Sequence, residues 1–262
     1  LVLGSGVQTG GIQQQLDEYL EVRLHGASTS AAEADAINKA YKRLEAELAE
    51  LGEGDLSTSL NNFLASVNDV VNQPESVAIR ELAVQEGAQF ARDITNLRAR
   101  IRDLRREQSD NIDSLVAEAN LLITEIDTIN PQIARLEAAG QLQSDASTLR
   151  GQRYASLQRL SEIVPVTYRE NANGTIDIYS GDNYLVLDGE VQTLEINRSI
   201  NREVSVQTIT LSQTNAQVTN SGGELAGVAF GRDTVLGGFV DDLDTYTSNV
   251  IQEFNRIHTS GQ

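Results

Sequence analysis

The sequence predicts a mainly α-helical fold with a small β part (α+β), in which an elongated bundle of long helices carries a small antiparallel sheet. Apolar residues recur at three- and four-residue steps over most of the chain, but alternate with a period of two between 166 and 211. Aromatic residues are only 5% and Trp is absent, so the core is built from Leu, Ile, Val and Ala. Long amphipathic helices cannot bury their apolar stripes alone, which favours a bundle.

The first third of the chain predicts two helices separated by a glycine-rich break. Each ends where glycine or proline disfavours helical backbone, and the residue before a proline is pushed out of the helical region. The expected order is an extended lead-in over 1–11, a helix from Ile12 to about Leu51 ended by Gly52-Glu53-Gly54-Asp55, and a helix capped by Ser57 or Ser59 that stops before Pro74.

A very long helix is predicted from Ser76 to about Ala139, with a break expected near 128–130 because of Pro131. Another helix follows over Ser144–Val164 and is ended by Pro165. Within the long helix one apolar row recurs every seventh residue, and its companion row slips by one residue, as in a straight helix of period 3.6. The seven-residue row is Ile94, Ile101, Gln108, Leu115, Leu122, Ile129 and Leu136.

The period then changes to two, and paired turn residues indicate β-hairpins. A final helix is predicted over Glu224–Thr259. We therefore expect a helical rod domain formed by 1–165 and 222–262, with a small β segment, 166–221, inserted between the long helices. The expected strands are Val166–Tyr168, Thr175–Tyr179, Tyr184–Leu187, Val191–Ile196 and Val204–Leu211, with turns at Asn173-Gly174, Gly181-Asp182-Asn183 and Asp188-Gly189.

Composition excludes several classes of function. Lys+Arg 20 against Asp+Glu 38 gives a formal net charge of −18, which argues against binding to nucleic acid or to an anionic membrane surface. The 262 residues contain no Cys and 2 His, so thiol chemistry and Cys-zinc sites are excluded and His-based sites are hard to build. No phosphate-binding glycine loop or G-x-S-x-G elbow occurs. We predict no catalytic, cofactor-binding or metal-binding residues, no cofactor, and no enzyme activity.

Two segments that contain acidic residues can be interpreted either as metal sites or as an ordinary helix surface and turn. A solvated helix face is favoured for the acidic run, and a β-turn is favoured for Asn171-Ala172-Asn173-Gly174 with Asp177, because that segment lacks the initial Asp and distant Glu of a calcium loop. The acidic run is Glu45, Glu47, Glu50, Glu53 and Asp55.

The basic cluster, the two histidines and two sequons were considered as further sites. Acidic residues interleave with the basic cluster, so helix-surface ion pairs or an inter-subunit contact are favoured over a nucleic-acid patch. His25 and His258 could meet if the first and last helices pack together, but two imidazoles are weak evidence for zinc, and surface or partly buried positions are expected. The basic cluster is Arg98, Arg100, Arg102, Arg105 and Arg106, and the sequons begin at Asn173 and Asn197.

Four stretches together resemble the flagellar hook-associated protein 1 family. They span nearly the whole chain and keep the family's order, although Gly151 and Tyr154 stand where the family usually has acidic residues. The stretches are Gly6–Ile12 with Asp17–Leu20; Leu56-Ser57, Leu60 and Phe63-Leu64 with Asn72-Gln73-Pro74-Glu75 and Arg80; Leu149, Gln152-Arg153, Leu157, Leu160-Ser161-Glu162 and Val164; and Gly222-Gly223-Glu224-Leu225, Gly227 and Arg232-Asp233 with Phe254-Asn255, His258 and Gly261.

The resemblance implies a flagellin-like rod domain and a structural subunit of the hook–filament junction, exported by the flagellar secretion system and needed for filament attachment. Expected partners are hook protein, the adjoining junction protein, an export chaperone, and copies of itself in a ring. The resemblance also implies that the terminal helices and outer domains of the family are missing here, so this chain alone is expected to be monomeric.

Three other interpretations remain open at the level of sequence. A flagellin-like filament subunit shares long helices and a small β part, but the Asn-x-Pro passage and the stretches 149–164 and 222–233 favour the junction protein. A secreted helical adhesin or effector-type binding protein is the alternative from another class. An enzyme is the weakest interpretation.

Overall fold

The computed structural model describes residues 18–49, 56–138, 143–218 and 222–260, and it confirms a mainly helical fold with a small antiparallel sheet. The helices are α1 (Glu18–Ala49), α2 (Leu56–Asn72), α3 (Val77–Ala138), α4 (Gln143–Ile163), α5 (Gly223–Phe230) and α6 (Gly237–Thr259). The strands are β1 (Thr167–Glu170), β2 (Ile176–Ser180), β3 (Asn183–Leu187), β4 (Glu190–Val191), β5 (Leu194–Asn201) and β6 (Val204–Leu211).

The predicted ends of the first two helices fall partly outside the described residues, as do the lead-in over 1–11 and the break at 52–55. Helix α2 starts at Leu56, so Ser57 and Ser59 lie inside its first turn, and the prediction that they cap it was wrong. The Ser59 hydroxyl instead donates to the Asp93 carboxylate on α3, at 2.8 Å.

Helix α3 runs unbroken for 62 residues, so the predicted break at 128–130 was wrong. Pro131 lies on an exposed side of the helix. Its missing N–H removes one intrahelical hydrogen bond, but the helix continues beyond this residue. Burial along the helix follows the companion row more closely than the seven-residue row, with fully buried residues repeating every seven positions from Ile112 to Ile133. Its fully buried apolar residues include Leu97, Ile101, Ile112, Ala119, Ile123, Ile126 and Ile133.

The chain divides into two compact units. The first unit comprises Leu1–Asp35, Ile112–Arg198 and Gln207–Gly227, and the second unit comprises Ala36–Asn111, Ser199–Val206 and Val228–Gln262. In the second unit, α3 and α6 supply a buried apolar cluster. Its members are Phe90, Ile94, Leu97 and Ile101 from α3, with Val240 and Leu243 from α6 and the preceding Leu236.

Strands β1 to β4 form an antiparallel sheet in sequence order, while β5 and β6 form a separate hairpin. The hairpin turn predicted at Asn173-Gly174 is confirmed between β1 and β2, with Gly174 at φ +80°. The Asp188-Gly189 turn is confirmed between β3 and β4. Both turns need left-handed backbone, which Gly and short polar residues tolerate best.

The single strand predicted over Val191–Ile196 was wrong, because β4 and β5 there belong to different sheets. Gln192, between them, is buried, and its side-chain amide donates to the Tyr184 carbonyl and accepts from two backbone N–H groups further along the chain. The Asn120 side chain on α3 then binds both the N–H and the carbonyl of Leu194, at 2.8 and 3.0 Å. Where the chain passes from β4 to β5, these side-chain amides supply backbone hydrogen bonds that a neighbouring strand would otherwise make.

The last predicted helix has its expected limits but contains a change of geometry. Between α5 and α6, residues Gly231–Leu236 form a π-helical segment, and the N–H of Gly237 bonds to the carbonyl of Arg232, five residues back. In the second unit a Cβ on Gly231 would lie 2.7 Å from the Ala40 Cβ, so glycine lets α1 approach this segment closely.

Candidate functional site

The acidic run, for which a solvated helix face was favoured over a metal site, makes ordinary surface contacts where the structure describes it. Glu47 pairs with Arg100 at 3.1 Å and Glu45 is exposed, whereas Glu50, Glu53 and Asp55 lie outside the described residues. Within the described ranges, no group of three or more His, Asp or Glu side chains could hold a metal ion. No described helix is both long and apolar enough to cross a membrane.

The segment compared with a calcium loop is the β1–β2 turn. The N–H of Asn171 donates to the Thr175 carbonyl at 2.8 Å, closing the turn. Asp177 is buried, and its two carboxylate oxygens accept from the Asn171 side chain at 3.0 Å and from Arg169 at 3.1 Å. These donors neutralise and orient the carboxylate, so it stabilises the turn.

Most of the basic cluster on α3 makes surface ion pairs, but only Arg106 with Asp103 has the predicted spacing along the helix, whereas Arg98 and Arg100 pair with acids on other elements. Arg98 contacts Glu203 and Asp244, and all three side chains are at least one-third exposed. Surface pairs of this kind contribute little individually. The remaining surface contacts are Arg100 with Glu47, Arg106 with Asp103 at 3.1 Å, and Arg102 with Asp103 at 3.7 Å.

Arg105 departs from that pattern because its side chain is 1% exposed. Its guanidinium donates to the carbonyls of Arg232 and Arg202, at 3.1 and 3.2 Å, and to the Asn201 side chain at 3.0 Å. Burial lowers the pKa of Arg105, although Asp233 partly offsets this effect. One cation therefore joins α3 to the π-helical segment and to the tip of the β5–β6 hairpin, all within the second unit.

His25 is buried in the first unit, so the prediction of a surface or partly buried position was wrong for this residue. Its Nδ1 lies 3.0 Å from the Ser161 hydroxyl on α4, and its Nε2 lies 3.8 Å from the Glu21 carboxylate. Thr29, one turn further along α1, donates to the carbonyl of His25 and lies 2.5 Å from that of Ser161. Sequence reasoning missed this cluster because its partners lie more than 130 residues apart.

The Glu21, His25 and Ser161 arrangement has the residue types of a nucleophilic triad but lacks its chemistry. Ser161 is fully buried, and its hydroxyl oxygen lies 2.6 Å from the Gln158 carbonyl and 3.0 Å from His25 Nδ1. Burial keeps this hydroxyl out of reach of a substrate, so the contacts join α1 to α4.

Two tyrosines complete the surroundings of His25. The Tyr154 hydroxyl donates to the Glu21 carboxylate, and the Tyr154 ring centre lies 5.9 Å from that of His25. Burial, together with the interaction with Glu21, raises the pKa of Tyr154 to about 12. The Tyr168 ring on β1 meets His25 edge-on at 6.0 Å.

Two further arginines join elements of the first unit. Buried Arg153 on α4 donates to the Asn130 side chain on α3 and to the Gly174 carbonyl, at 3.0 and 2.7 Å, and burial lowers its pKa to about 10. Arg159 forms ion pairs with Glu118 on α3, Glu162 on α4 and Glu224 on α5. The hydrogen bond to Glu118, ahead of the other contacts, raises the pKa of Arg159.

The remaining predicted candidates occupy exposed positions. His258 is exposed on α6, and its ring stacks on that of Phe254 with ring centres 6.1 Å apart. His25 belongs to the first unit and His258 to the second unit. Among the sequons, Asn173 caps its own turn by accepting from the N–H of Thr175, and Asn197 on β5 donates to the Thr210 hydroxyl.

The fold and these contacts define a mainly helical domain with a small antiparallel sheet, in which buried polar side chains hold neighbouring elements together. The family profile described as the flagellar hook-associated protein FlgK helical domain matches residues 41–262. The chain belongs to that family.

Individual relatives agree with the family assignment. Flagellar hook-associated protein 1 of Bacillus subtilis (strain 168) is 25% identical over 287 residues, covering 99% of this chain and 56% of that protein. The Salmonella typhimurium protein of the same name is 25% identical over 187 residues, covering 71% of this chain and 34% of its own length. This chain therefore spans about half the length, or less, of these curated relatives.

A solved structure shares the fold. It is that of the flagellar hook junction protein FlgK from Burkholderia pseudomallei, with a TM-score of 0.65 and 18% sequence identity. The match covers 81% of this chain and 39% of the solved chain.

Proposed function

We propose that this chain is the helical part of a structural subunit at the junction between the flagellar hook and the filament. The observation that carries the proposal is the family match over residues 41–262, supported by relatives named as flagellar hook-associated protein 1. The subunit is exported by the flagellar secretion system and acts outside the cell, where the filament needs it for attachment. Catalysis plays no part in this role.

The proposed partners of the whole protein are hook protein, the adjoining junction protein, and copies of itself arranged in a ring, with an export chaperone before assembly. Residues 1–165 and 222–262 form the helical rod domain in this proposal, and 166–221 form the inserted β segment. Buried polar contacts such as those of Arg105 and Arg153 support a stiff scaffold, because each arginine fixes several elements at once.

Deletion of the gene in its motile source strain tests the proposal. We expect intact hooks, no attached filaments, and filament protein released into the medium. Reintroducing the full-length gene should restore filaments, which controls for effects on neighbouring genes. Normal filaments on the deletion strain would contradict the proposal, and loss of the hooks as well would place the protein earlier in assembly.

A further inference from the structure

The turn between β1 and β2 contains the one Asn-Gly pair in the sequence, Asn173-Gly174. Asparagine before glycine is especially prone to deamidation, because glycine has no side chain to hinder attack by its own backbone nitrogen. In that reaction the Gly174 nitrogen bonds to the side-chain carbonyl carbon of Asn173, and its hydrogen leaves with the Asn173 amide group as ammonia. Water then opens the succinimide ring to give aspartate or isoaspartate at 173. Asn173 is exposed, so water reaches it.

In the folded turn both reacting groups are held by hydrogen bonds. The Gly174 N–H donates to the Asn171 carbonyl at 2.9 Å. The side-chain oxygen of Asn173 accepts from the N–H and the hydroxyl of Thr175, at 3.1 and 2.7 Å. A backbone N–H can only donate, which fixes the orientation of the Asn173 amide. Ring closure removes the hydrogen that Asn171 accepts and draws the Asn173 carbonyl away from Thr175, so these bonds must break.

The backbone that follows Asn173 is held as well. The Gly174 carbonyl accepts from buried Arg153 on α4 at 2.7 Å. The Asn130 side chain on α3 bonds to both the N–H and the carbonyl of Ile176, at 3.1 and 2.9 Å. Gly174 itself is buried, with φ +80°. A change in the backbone of the Asn-Gly pair therefore disturbs contacts with two helices in addition to the hydrogen bonds of the turn.

We propose that Asn173 is a deamidation site that the folded turn keeps unreacted and that unfolding exposes to reaction. The two products differ in how they fit the turn. Aspartate leaves the backbone unchanged, and its carboxylate can accept the same hydrogen bonds from Thr175. Isoaspartate adds a methylene carbon to the main chain, which displaces Gly174 from its contacts with Asn171 and Arg153. A chain that reacts while unfolded therefore refolds with a damaged turn when the product is isoaspartate.

The rate of deamidation in the full chain tests the protection. Native chain and chain unfolded in guanidinium chloride are kept at the same temperature and mildly alkaline pH, and the products at 173 are measured by mass spectrometry. A peptide of residues 168–178 in both buffers corrects for the effect of the denaturant. Because several hydrogen bonds must break first, we expect the native chain to react at least about tenfold more slowly. Equal corrected rates would overturn the proposal.

A variant of Thr175 tests whether the turn itself provides the protection. Thr175→Val removes the hydroxyl donor and keeps the N–H, so the native rate should rise several-fold while the rate in guanidinium chloride stays the same. Thr167→Val, at an exposed position of β1, is the matched control and should react as slowly as the wild type. If Thr175→Val reacts no faster than this control, the protective role of the turn is refuted.

A refolding experiment does not depend on Thr175→Val. Chains are kept unfolded at mildly alkaline pH, returned to native buffer and compared by thermal unfolding with fresh samples. Asn173→Ser cannot form the succinimide, and its hydroxyl can still accept from the Thr175 N–H. The wild type should acquire isoaspartate and a lower midpoint, whereas Asn173→Ser should keep its own, and fresh Asn173→Asp should resemble the fresh wild type. An equal fall in the wild type and Asn173→Ser would contradict the assignment to Asn173.

Discussion

At the scale of single residues, Gly223 shows how the backbone itself can be part of a packing contact. It begins α5 at φ +77°, and a Cβ at this position would lie 2.5 Å from the Ile163 carbonyl oxygen at the end of α4. The obstructing atoms are backbone, which cannot rotate away as a side chain would. The positive φ adds strain for any residue with a Cβ.

We therefore expect Gly223→Ala to lower the free energy of unfolding by about 3 kcal/mol or more. Gly181→Ala is the matched control, since Gly181 also has positive φ, +58°, but has open space around its Cβ position. The control should cost only about 1 kcal/mol. Urea unfolding of both variants gives the comparison, and equal losses would show that the α4–α5 contact adjusts freely.

Residue chemistry was also where prediction from sequence was weakest. The surface pair of Arg106 with Asp103 follows from helical spacing, whereas the partners of Arg98, Glu203 and Asp244, lie far away in sequence. Arg105 has the same residue type and the same neighbours in sequence, yet it is buried against carbonyls that fold topology brings there. Likewise, nothing local to His25 signals that Ser161 will be its partner. Only long-range packing distinguishes these residues from their neighbours.

At the scale of elements, periodicity and turn chemistry predicted most of the structure. The predicted limits of α3 and α4 lie within one residue of those observed, and β6 has the predicted bounds. The errors occur where side chains from other elements take part. The division between β4 and β5 depends on Gln192 and Asn120, and the π-helical segment presents the Arg232 carbonyl, which accepts a hydrogen bond from Arg105.

Pro131 offers a test of how much α3 tolerates a helix breaker. The helix continues through this position, and the flanking Asn130 forms paired hydrogen bonds with the backbone of Ile176, which hold this part of α3 to β2. Packing of this kind compensates for the hydrogen bond that proline removes.

Pro131→Ala should therefore raise the free energy of unfolding by about 1–3 kcal/mol, because it restores a backbone donor and removes the ring from an exposed position. Gln132→Ala, at the next exposed position, is the control and should change stability by less than about 0.5 kcal/mol. Thermal or urea unfolding measures both. A loss of stability in Pro131→Ala would show that the backbone conformation that proline fixes is needed for the contact between α3 and β2.

At the scale of the whole molecule, net charge and exposed apolar surface have opposite effects on the association of copies of the chain. The formal net charge of −18 makes copies of the chain repel each other at low ionic strength. Apolar side chains nevertheless remain exposed on three helices of the second unit, and such side chains favour association when they are contiguous. The examples are Leu64 and Val71 on α2, Val77 and Val84 on α3, and Ile251, Phe254 and Ile257 on α6.

We expect this chain to be a monomer by light scattering at about 0.15 M salt, where the screening length of about 8 Å leaves much of the short-range repulsion intact. Weak, reversible association should appear near 1 M salt, because screening then falls to about 3 Å while apolar contact is unaffected. Ile257→Glu should reduce that association, and Ile200→Glu, an exposed change on the β5–β6 hairpin, supplies the control. A stable oligomer at 0.15 M salt would contradict the expectation.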